Sequence, residues 1–161
     1  MSHQQEPGKS GALQDRIAVV TGGAQGLGEG LSLRLGREGC DVVVVDIRED
    51  QAAATAERVR QETGRRALSF RADVTVEAEV QALFDRTVSE WGRVDIAVAN
   101  AAILIADPIV RADAEKWRAV MNVNLFGYFL TAKHAARVMM PRRNGSIVQI
   151  NSKSGKKGSA A

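Results

Sequence analysis

Several kinds of residue are scarce in this chain of 161 residues, and each scarcity excludes a class of protein. The single cysteine, Cys40, cannot form an internal disulfide, so we expect it to pack in a core in a reducing, cytoplasmic setting. No apolar stretch approaches the roughly 20 residues that a membrane-spanning helix needs. Residues 1–14 lack the apolar centre of a secretory signal. The two histidines, His3 and His134, do not make a metal site or replace an acid/base pair.

Acidic residues are absent after Glu115, and this divides the chain by charge. The last 46 residues carry nine Lys or Arg, whereas the first 115 carry nineteen acidic and thirteen basic residues, a net charge of −6. One interpretation is a surface that binds nucleic acid. The basic part has no interleaved aromatic residues, so a solvated helix face and a mouth for an anionic substrate explain the charge better. We therefore predict no nucleic-acid partner and no membrane partner.

The chain is organised around a glycine-rich turn. The apolar, β-branched run Ile17–Val20 enters the turn, and the helix-forming stretch Leu27–Arg37 leaves it, with the pattern Thr-Gly-x-x-x-Gly-x-Gly between them. Glycines permit a tight turn and a close approach of the backbone to a diphosphate, and the unpaired N–H groups of the helix start would face that anion. The alternative is an ordinary connection between a strand and a helix.

A second strand, predicted at Asp41–Ile47, contains four consecutive valines, which is typical of a strand buried on both faces of a parallel sheet. It ends at Asp46, whose carboxylate can accept hydrogen bonds from both ribose hydroxyls of an adenosine and would repel a 2′-phosphate. The sequence therefore predicts NAD rather than NADP, although Arg48 is a candidate partner for a 2′-phosphate. The alternative role of Asp46 is to cap the following helix.

Together, the glycine turn, its flanking elements and Asp46 resemble the short-chain dehydrogenase/reductases. The resemblance covers residues from about Asp15 to the end, which correspond to the first half to two-thirds of a typical member. It implies an α/β fold, a Rossmann-like doubly wound parallel sheet with strand order 3-2-1-4-5, truncated after the fifth strand. It also implies that residues 15–161 form an incomplete NAD-binding domain, preceded by a flexible tail at 1–14.

The resemblance implies a set of cofactor contacts. Asp73 and Val74 match the pair that lies over the adenine, although Asp73 and Thr75 are also expected to cap the next helix. Asn100 and Ala101 match an Asn-Ala pair that lines the cofactor pocket, but the glycine that usually follows is replaced by Ala102. The predicted cofactor-binding residues are Thr21, Gly22, Gln25, Gly26, Leu27, Gly28, Asp46, Ile47, Asp73, Val74, Asn100 and Ala101.

The same resemblance implies two residues for the chemistry. Asn124 matches an asparagine that kinks a helix and whose backbone carbonyl holds a water in a proton relay. Ser152, at the end of the fifth strand, matches a serine that binds the substrate oxygen. The family's general acid/base, a Tyr-x-x-x-Lys pair, would fall beyond residue 161. The single tyrosine, Tyr128, precedes Lys133 by five residues rather than four, so we predict that it packs against a neighbour or a subunit.

Residues 151–156, Asn-Ser-Lys-Ser-Gly-Lys, resemble the sorbitol-6-phosphate 2-dehydrogenases within this family. This implies a phosphorylated polyol as the alcohol or ketone substrate, with Lys153, Lys156 and Lys157 near its phosphate. A basic solvated loop is the alternative. Three functions stay open: an NAD-dependent oxidoreductase, a nucleotide-binding module without catalysis, and a nucleic-acid-binding protein.

The remaining elements follow from periodicity and from Gly or Pro stop signals. Helices are predicted at 29–38, 50–63 and 77–91, and one long helix from about Asp113 until Pro141 stops it. Further strands are predicted at 67–70, 94–99 and 145–151. The fifth strand would be an exposed edge beside open apolar surface, which predicts marginal stability or association, and a homo-oligomer for the full-length form.

Overall fold

The computed structural model describes residues 11–152, which form one parallel five-stranded sheet with helices on both faces. The strand order is 3-2-1-4-5, as predicted. The main elements are β1 (Ile17–Thr21), α1 (Gly26–Arg37), β2 (Asp41–Asp46), α2 (Glu49–Thr63), β3 (Ala67–Arg71), α3 (Glu77–Trp91), β4 (Ile96–Ala99), α4 (Ala114–Met121), α5 (Gly127–Met139) and β5 (Ser146–Gln149).

Strand β2 shows why the chain folds in layers, because all six of its residues are buried. Val42 and Val44 belong to an apolar cluster with α1 and α2, whereas Val43 and Val45 belong to a second cluster with α3 and α5. Alternate side chains of a strand point to opposite faces, so four consecutive valines supply both cores. This confirms the doubly covered sheet.

Two helices end where the sequence predicts. Helix α2 ends at Thr63 and α3 at Trp91, and the glycine after each has a positive φ and donates its N–H to the helix. A left-handed residue at this position terminates a helix because it redirects the chain while satisfying a terminal carbonyl. Trp91 packs against the second apolar cluster, as expected for a core residue.

The long helix predicted from about Asp113 to Pro141 is divided in two, and the division lies at Asn124, where the family resemblance implies a kink. Helix α4 begins after Asp113, whose carboxylate accepts hydrogen bonds from the N–H groups of residues 115 and 116. A π-helical turn, Asn122–Phe126, then separates α4 from α5, and a 3₁₀ turn, Met140–Arg142, follows α5. A π-turn carries an extra residue and is frequent at functional sites. Its sequence contains Asn124, one of the two residues predicted to serve the chemistry.

The predicted flexible tail at 1–14 needs a correction at its end, because residues 11–14 contact the turn between α1 and β2. The N–H of Leu13 donates to the Glu38 carbonyl at 3.0 Å, and Leu13 packs against the first apolar cluster. The Leu13 carbonyl lies 3.7 Å from the Cys40 sulfur. Cys40 is fully buried, as predicted, and desolvation raises the pKa of its thiol to about 11. Residues 1–10 lie outside the described part.

At the amino ends of the strands, the Asp95 side chain accepts hydrogen bonds from three separate segments, at residues 17, 93 and 142. Its buried carboxylate accepts hydrogen bonds from the Ile17 N–H at 2.9 Å, from Arg93 at 2.8 Å and from Arg142 at 3.2 Å. Burial raises the pKa of Asp95, but these hydrogen bonds and the charge of Arg93 outweigh burial, so its pKa lies below the usual value. Asp95 therefore stabilises the sheet as a carboxylate.

The side of the sheet beyond β4 is open in the described residues. All four residues of β5 are exposed, including Ile147 and Val148, and α4 has no buried residue. A shallow depression of about 770 Å³ runs along α4 and the π-turn beside exposed apolar side chains such as Trp117, Leu125 and Phe129. The predicted exposed edge and apolar surface are therefore present.

Candidate active site

The glycine turn connects the buried end of β1 to the first turn of α1. Gly26 has a φ of 57°, and a Cβ built on it would meet no atom within 4 Å, so the turn leaves an open cradle there. A Cβ at Gly28 would collide with the carbonyl oxygen of Gly22, which explains why the helix can start so close to the strand. The first N–H groups of a helix have no intrahelical partner, and here they begin at this cradle.

Asn100, which follows β4, is hydrogen-bonded to the start of the glycine turn. Its side-chain amide donates to the carbonyl oxygens of Thr21 at 3.0 Å and of Gly22 at 3.1 Å. In return, the Thr21 hydroxyl oxygen accepts the N–H of Asn100 at 3.0 Å and that of Ala101 at 3.2 Å. The carboxyl ends of neighbouring parallel strands are thus joined by side chains that the sequence separates by nearly eighty residues.

Asp46 lies at the end of β2, and its carboxylate is almost completely buried. One oxygen accepts the N–H and the Nε of Arg48, both at 3.1 Å, and the other accepts the N–H of Ala24 at 3.2 Å. Burial raises the pKa of Asp46, but the hydrogen bonds and charge of Arg48 and the Ala24 N–H outweigh it, and the pKa lies below its usual value. Asp46 is therefore an anion. The N-cap position of α2 is Arg48, which makes no side-chain cap hydrogen bond, so the alternative role of Asp46 as the cap of this helix is wrong.

Asp73 and Val74 lie in the turn between β3 and α3. One carboxylate oxygen of Asp73 accepts the N–H of Thr75 at 2.9 Å and its hydroxyl at 2.8 Å, while the N–H of Asp73 donates to Glu79 at 2.8 Å. These bonds close a turn ahead of α3 but do not cap it, because the N-cap position of α3 is Val76 and makes no side-chain cap hydrogen bond, so the capping role expected for Asp73 and Thr75 is wrong. Both Asp73 and Val74 also face a cavity, so these bonds do not remove them from the candidate site.

These segments enclose a cavity of about 490 Å³ at the carboxyl edge of the sheet. Ligands bind at this edge of doubly wound sheets because the loops there diverge. Eleven of the twelve predicted cofactor-binding residues line it, all except Thr21: Gly22, Gln25, Gly26, Leu27, Gly28, Asp46, Ile47, Asp73, Val74, Asn100 and Ala101. Arg48 lines it as well. The sequence pattern thus brings together residues from four separate loops.

A second cavity of about 440 Å³ adjoins the first and shares Asn100 and Ala101 with it. Thr21 lies here, together with the two residues predicted for the chemistry, Asn124 and Ser152. Tyr128 also lines this cavity. The sequence analysis predicted only that Tyr128 packs against a neighbour, and it did not place Tyr128 at the site. Its spacing of four residues from Asn124 on a helix was the available signal, since such residues share a face.

The side-chain amide of Asn124 forms two hydrogen bonds with the loop after β4. Its side-chain oxygen accepts the N–H of Ile103 and its side-chain nitrogen donates to the Ile103 carbonyl, both at 2.9 Å. This pair of bonds satisfies the amide within the irregular turn, which is the compensation that an asparagine inside a helix requires. Ser152 is exposed, and its N–H donates to the Asn151 side chain at 2.8 Å. Ser154 and the lysines at 153, 156 and 157 lie outside the described residues.

His134 is buried in α5, away from both cavities, and its Nε2 lies 3.3 Å from a Glu77 carboxylate oxygen. Within residues 11–152, no cluster of three or more His, Cys, Asp or Glu is placed to hold a metal ion. The helices of that same part of the chain include none long and apolar enough to span a membrane.

Between Glu115 and residue 152, the basic residues are largely paired with acids from earlier in the chain. Five of the six that the structure describes form ion pairs, which explains how a one-sided sequence gives a mixed surface. The pairs are Lys116 with Asp107, Arg118 with Glu115, Lys133 with Glu77, Arg137 with Asp85, and Arg142 with Asp95. This pairing weakens the case for a nucleic-acid-binding face.

Comparisons with known proteins agree with this architecture. Residues 16–161 match the short chain dehydrogenase family. The chain is 40% identical over 150 residues to cis-4-hydroxycyclohexanecarboxylate dehydrogenase of Sinomonas cyclohexanicum, covering 92% of this chain and 59% of that protein. It is 39% identical over 138 residues to (+)-borneol dehydrogenase 1 of Salvia officinalis, covering 84% of this chain and 52% of the relative.

A solved structure gives the same result. The crystal structure of a short-chain type dehydrogenase/reductase from Mycobacterium marinum superposes with a TM-score of 0.89 at 31% identity, over 92% of this chain and 60% of that one. The chain thus spans between about half and three-fifths of the length of these relatives. The names of these relatives do not support the specific resemblance to sorbitol-6-phosphate dehydrogenases. The fold, the glycine turn and the family match together show that the chain belongs to the short-chain dehydrogenase family.

Proposed function

We propose that the protein is an NAD(H)-dependent oxidoreductase that transfers a hydride between the cofactor and a secondary alcohol or ketone. The observation that supports this most is the shared edge of the two cavities. One cavity is lined by the glycine turn and Asp46, and the adjoining one by Asn124 and Ser152. A nicotinamide dinucleotide bound along the first cavity would place its nicotinamide toward the second cavity.

The residues of the first cavity fit an adenine dinucleotide. The open cradle at Gly26 and the N–H groups at the start of α1 suit a diphosphate, and the anionic Asp46 suits ribose hydroxyls. Asp73 and Val74 would border the adenine, while Asn100 and Ala101 hold the turn in place. A bound nicotinamide dinucleotide supplies the hydride acceptor or donor.

The residues of the second cavity would bind and orient the substrate. The Ser152 hydroxyl is suited to bind the substrate oxygen, and the Asn124 backbone carbonyl to hold a water in a proton relay, as the family resemblance implies. A general acid/base is also needed to take or give the hydroxyl proton. These 161 residues contain no Tyr-x-x-x-Lys, the pair that supplies this group in the family by resemblance, so their own residues account for substrate binding but not for the proton transfer.

Two substrate classes follow from different observations. The lysines at 153, 156 and 157 favour a phosphorylated polyol. Among the described residues, however, the lining of the second cavity contains no Lys or Arg and includes Ile103, Leu104 and Ile150. Two relatives are named for a hydroxycyclohexanecarboxylate and for borneol, both ring-bearing alcohols. We therefore favour a carbocyclic secondary alcohol over sorbitol 6-phosphate.

The same absence of Tyr-x-x-x-Lys supports a second function for the 161-residue chain itself, namely nucleotide binding without catalysis. Calorimetry with NAD⁺, followed by a dehydrogenase assay on this chain and on one extended past Ala161, separates the two. We expect both chains to bind NAD⁺ and only the extended chain to reduce it with a cyclic secondary alcohol. If a well-folded sample of either chain binds no nicotinamide dinucleotide, the proposed function is wrong.

A further inference from the structure

The turn that leads from α5 to β5 contains the only Asn-Gly pair in the sequence, Asn144-Gly145. It follows Arg143, whose φ of 50° redirects the chain after the 3₁₀ turn Met140–Arg142. Asn144 and Gly145 are both exposed, and a depression of about 380 Å³ opens beside them. In the described part of the chain, neither the Asn144 side chain nor the Gly145 N–H forms a hydrogen bond. Water therefore reaches both groups, and no hydrogen bond has to break before they react.

These two residues carry the groups that an intramolecular attack on a side-chain amide needs. The Gly145 nitrogen attacks Cγ of Asn144, so a bond forms between these atoms and the bond from Cγ to the side-chain nitrogen breaks. That nitrogen takes up the proton that Gly145 loses and leaves as ammonia. Glycine favours this ring closure, because it has no Cβ to obstruct the approach and its backbone is the least restricted.

Water then opens the resulting cyclic imide in one of two ways. Cleavage of the new bond, from the nitrogen to Cγ, gives aspartate at position 144. Cleavage of the original peptide bond gives isoaspartate, in which the main chain runs through Cβ and Cγ. Both products carry a carboxylate in place of a neutral amide, and isoaspartate also adds one atom to the main chain. The reaction consumes one water, releases one ammonia and involves no oxidation or reduction.

The turn joins two residues that are both bonded to Asp95. Before the turn, an Arg142 terminal nitrogen donates to the Asp95 carboxylate at 3.2 Å, and after it the Ser146 N–H donates to the Asp95 carbonyl oxygen at 2.9 Å. Gly145 is closely packed as well, because a Cβ built on it would collide with the Met139 sulfur. An additional main-chain atom in so short a connection has to displace one of these contacts.

Asn100 has the opposite environment and serves as the internal comparison. Its amide donates to the carbonyl oxygens of Thr21 and Gly22, and the N–H that would attack it, that of Ala101, donates to the Thr21 hydroxyl oxygen at 3.2 Å. The Cβ of Ala101 also restricts the approach. These bonds have to break before a ring can close, so the fold protects Asn100 and leaves Asn144 reactive.

We propose that Asn144 is a site of spontaneous deamidation, and that its isoaspartate product loosens the attachment of β5 to β4 at Ser146. The Ser146 N–H bond to Asp95 lies at the start of the pairing between these two strands. Strand β5 is the exposed edge of the sheet, so in residues 11–152 no further strand holds it in place. The modification therefore acts on the outermost and least supported strand of the described sheet.

The first experiment follows the wild-type chain over time at neutral pH, in native buffer and in urea, by peptide mass spectrometry that distinguishes asparagine, aspartate and isoaspartate. In native buffer we expect Asn144 to react at least about tenfold faster than Asn100, because the hydrogen bonds at Asn100 add to its barrier. Folding should slow Asn144 by less than about threefold relative to urea. If Asn144 reacts no faster than Asn100, or if folding slows it more than this, the proposed site is wrong.

The second experiment tests the effect on β5. Anion exchange isolates the modified chains by their added charge, and NMR measures hydrogen exchange of the Ser146 amide. We expect this amide to exchange at least about tenfold faster in the isoaspartate form, the change expected when one hydrogen bond is lost. Asn144→Asp carries the same charge on an unaltered main chain and should stay within about twofold of the wild type.

Asn144→Gln is the matched variant that keeps an amide at this position, but its longer side chain has to close a larger ring. We expect it to stay unmodified over the same time course, and circular dichroism confirms that it is folded. Equal Ser146 exchange in the isoaspartate form and in Asn144→Asp would show that the modification does not loosen β5. Modification of Asn144→Gln at the wild-type rate would overturn the ring-closure mechanism.

Discussion

The amide of Asn100 offers a sharp test of how the candidate site is held together. Its nitrogen donates to two carbonyl oxygens, those of Thr21 and Gly22, at 3.0 and 3.1 Å. Asn100→Asp keeps the shape but places a carboxylate oxygen against two acceptors. Two hydrogen bonds of about 1 kcal/mol each are lost, and the repulsion adds to this, so we expect a loss of roughly 2–4 kcal/mol in the free energy of unfolding.

Thermal unfolding followed by circular dichroism measures that loss, which corresponds to about 2–4 °C in Tm for each kcal/mol in a chain of this size. Affinity for NAD⁺ should fall at least about tenfold, because the glycine turn shifts and a negative charge stands beside the diphosphate site. Asn100→Ala separates the causes, since it removes the hydrogen bonds without adding charge and should cost less. Asn144→Asp, at an exposed turn, is the control for the added charge. If Asn100→Asp and Asn144→Asp have the same Tm and the same affinity for NAD⁺, the Asn100 amide does not stabilise the glycine turn.

Three further predictions concern other parts of the fold. Because the pKa of Asp95 is depressed in the folded protein, its contribution to stability is present above its unfolded pKa, near 3.9, and is lost as the pH falls through its lower folded pKa. In urea unfolding between pH 7 and pH 2, the free energy of unfolding of Asp95→Asn should therefore fall less steeply with decreasing pH than that of the wild type. Asn124→Ala removes both hydrogen bonds to Ile103, so the Ile103 amide should exchange its hydrogen faster and the free energy of unfolding should fall by about 1–3 kcal/mol. An unaltered exchange rate would show that these bonds do not hold the loop. Val148→Lys places a charge on the exposed strand β5, so light scattering should show less self-association than in the wild type, with an unchanged Tm. A wild-type chain that stays monomeric and heat-stable would contradict the prediction that the exposed edge causes association.

Local patterns in the sequence were sufficient for most of the helices and strands, whereas the strand order came from the family resemblance. Four consecutive valines predict a strand covered on both faces, and the glycines at 64 and 92 predict helix ends to the residue, because each of these signals acts within a few residues of the chain. The π-turn could not be predicted in this way. Helical periodicity alone favours a regular helix there, and the kink at Asn124 was expected only from the family resemblance. In the structure, the side chain of Asn124 within this turn bonds to Ile103, which is twenty-one residues away in the sequence.

The candidate site shows the same division between local and distant causes. The resemblance to a known family placed eleven residues around one cavity, because the carboxyl ends of parallel strands meet at one edge of the sheet. It assigned Asp46 a role from its position alone. In the structure that carboxylate is paired with Arg48, and the Arg48 guanidinium also donates to Gln25, which belongs to the glycine turn on a different strand connection. The position of an acid at the end of a strand therefore predicts that a carboxylate lies at this edge of the sheet. Its partners include the Ala24 N–H from the glycine turn, and only the folded arrangement reveals such a partner.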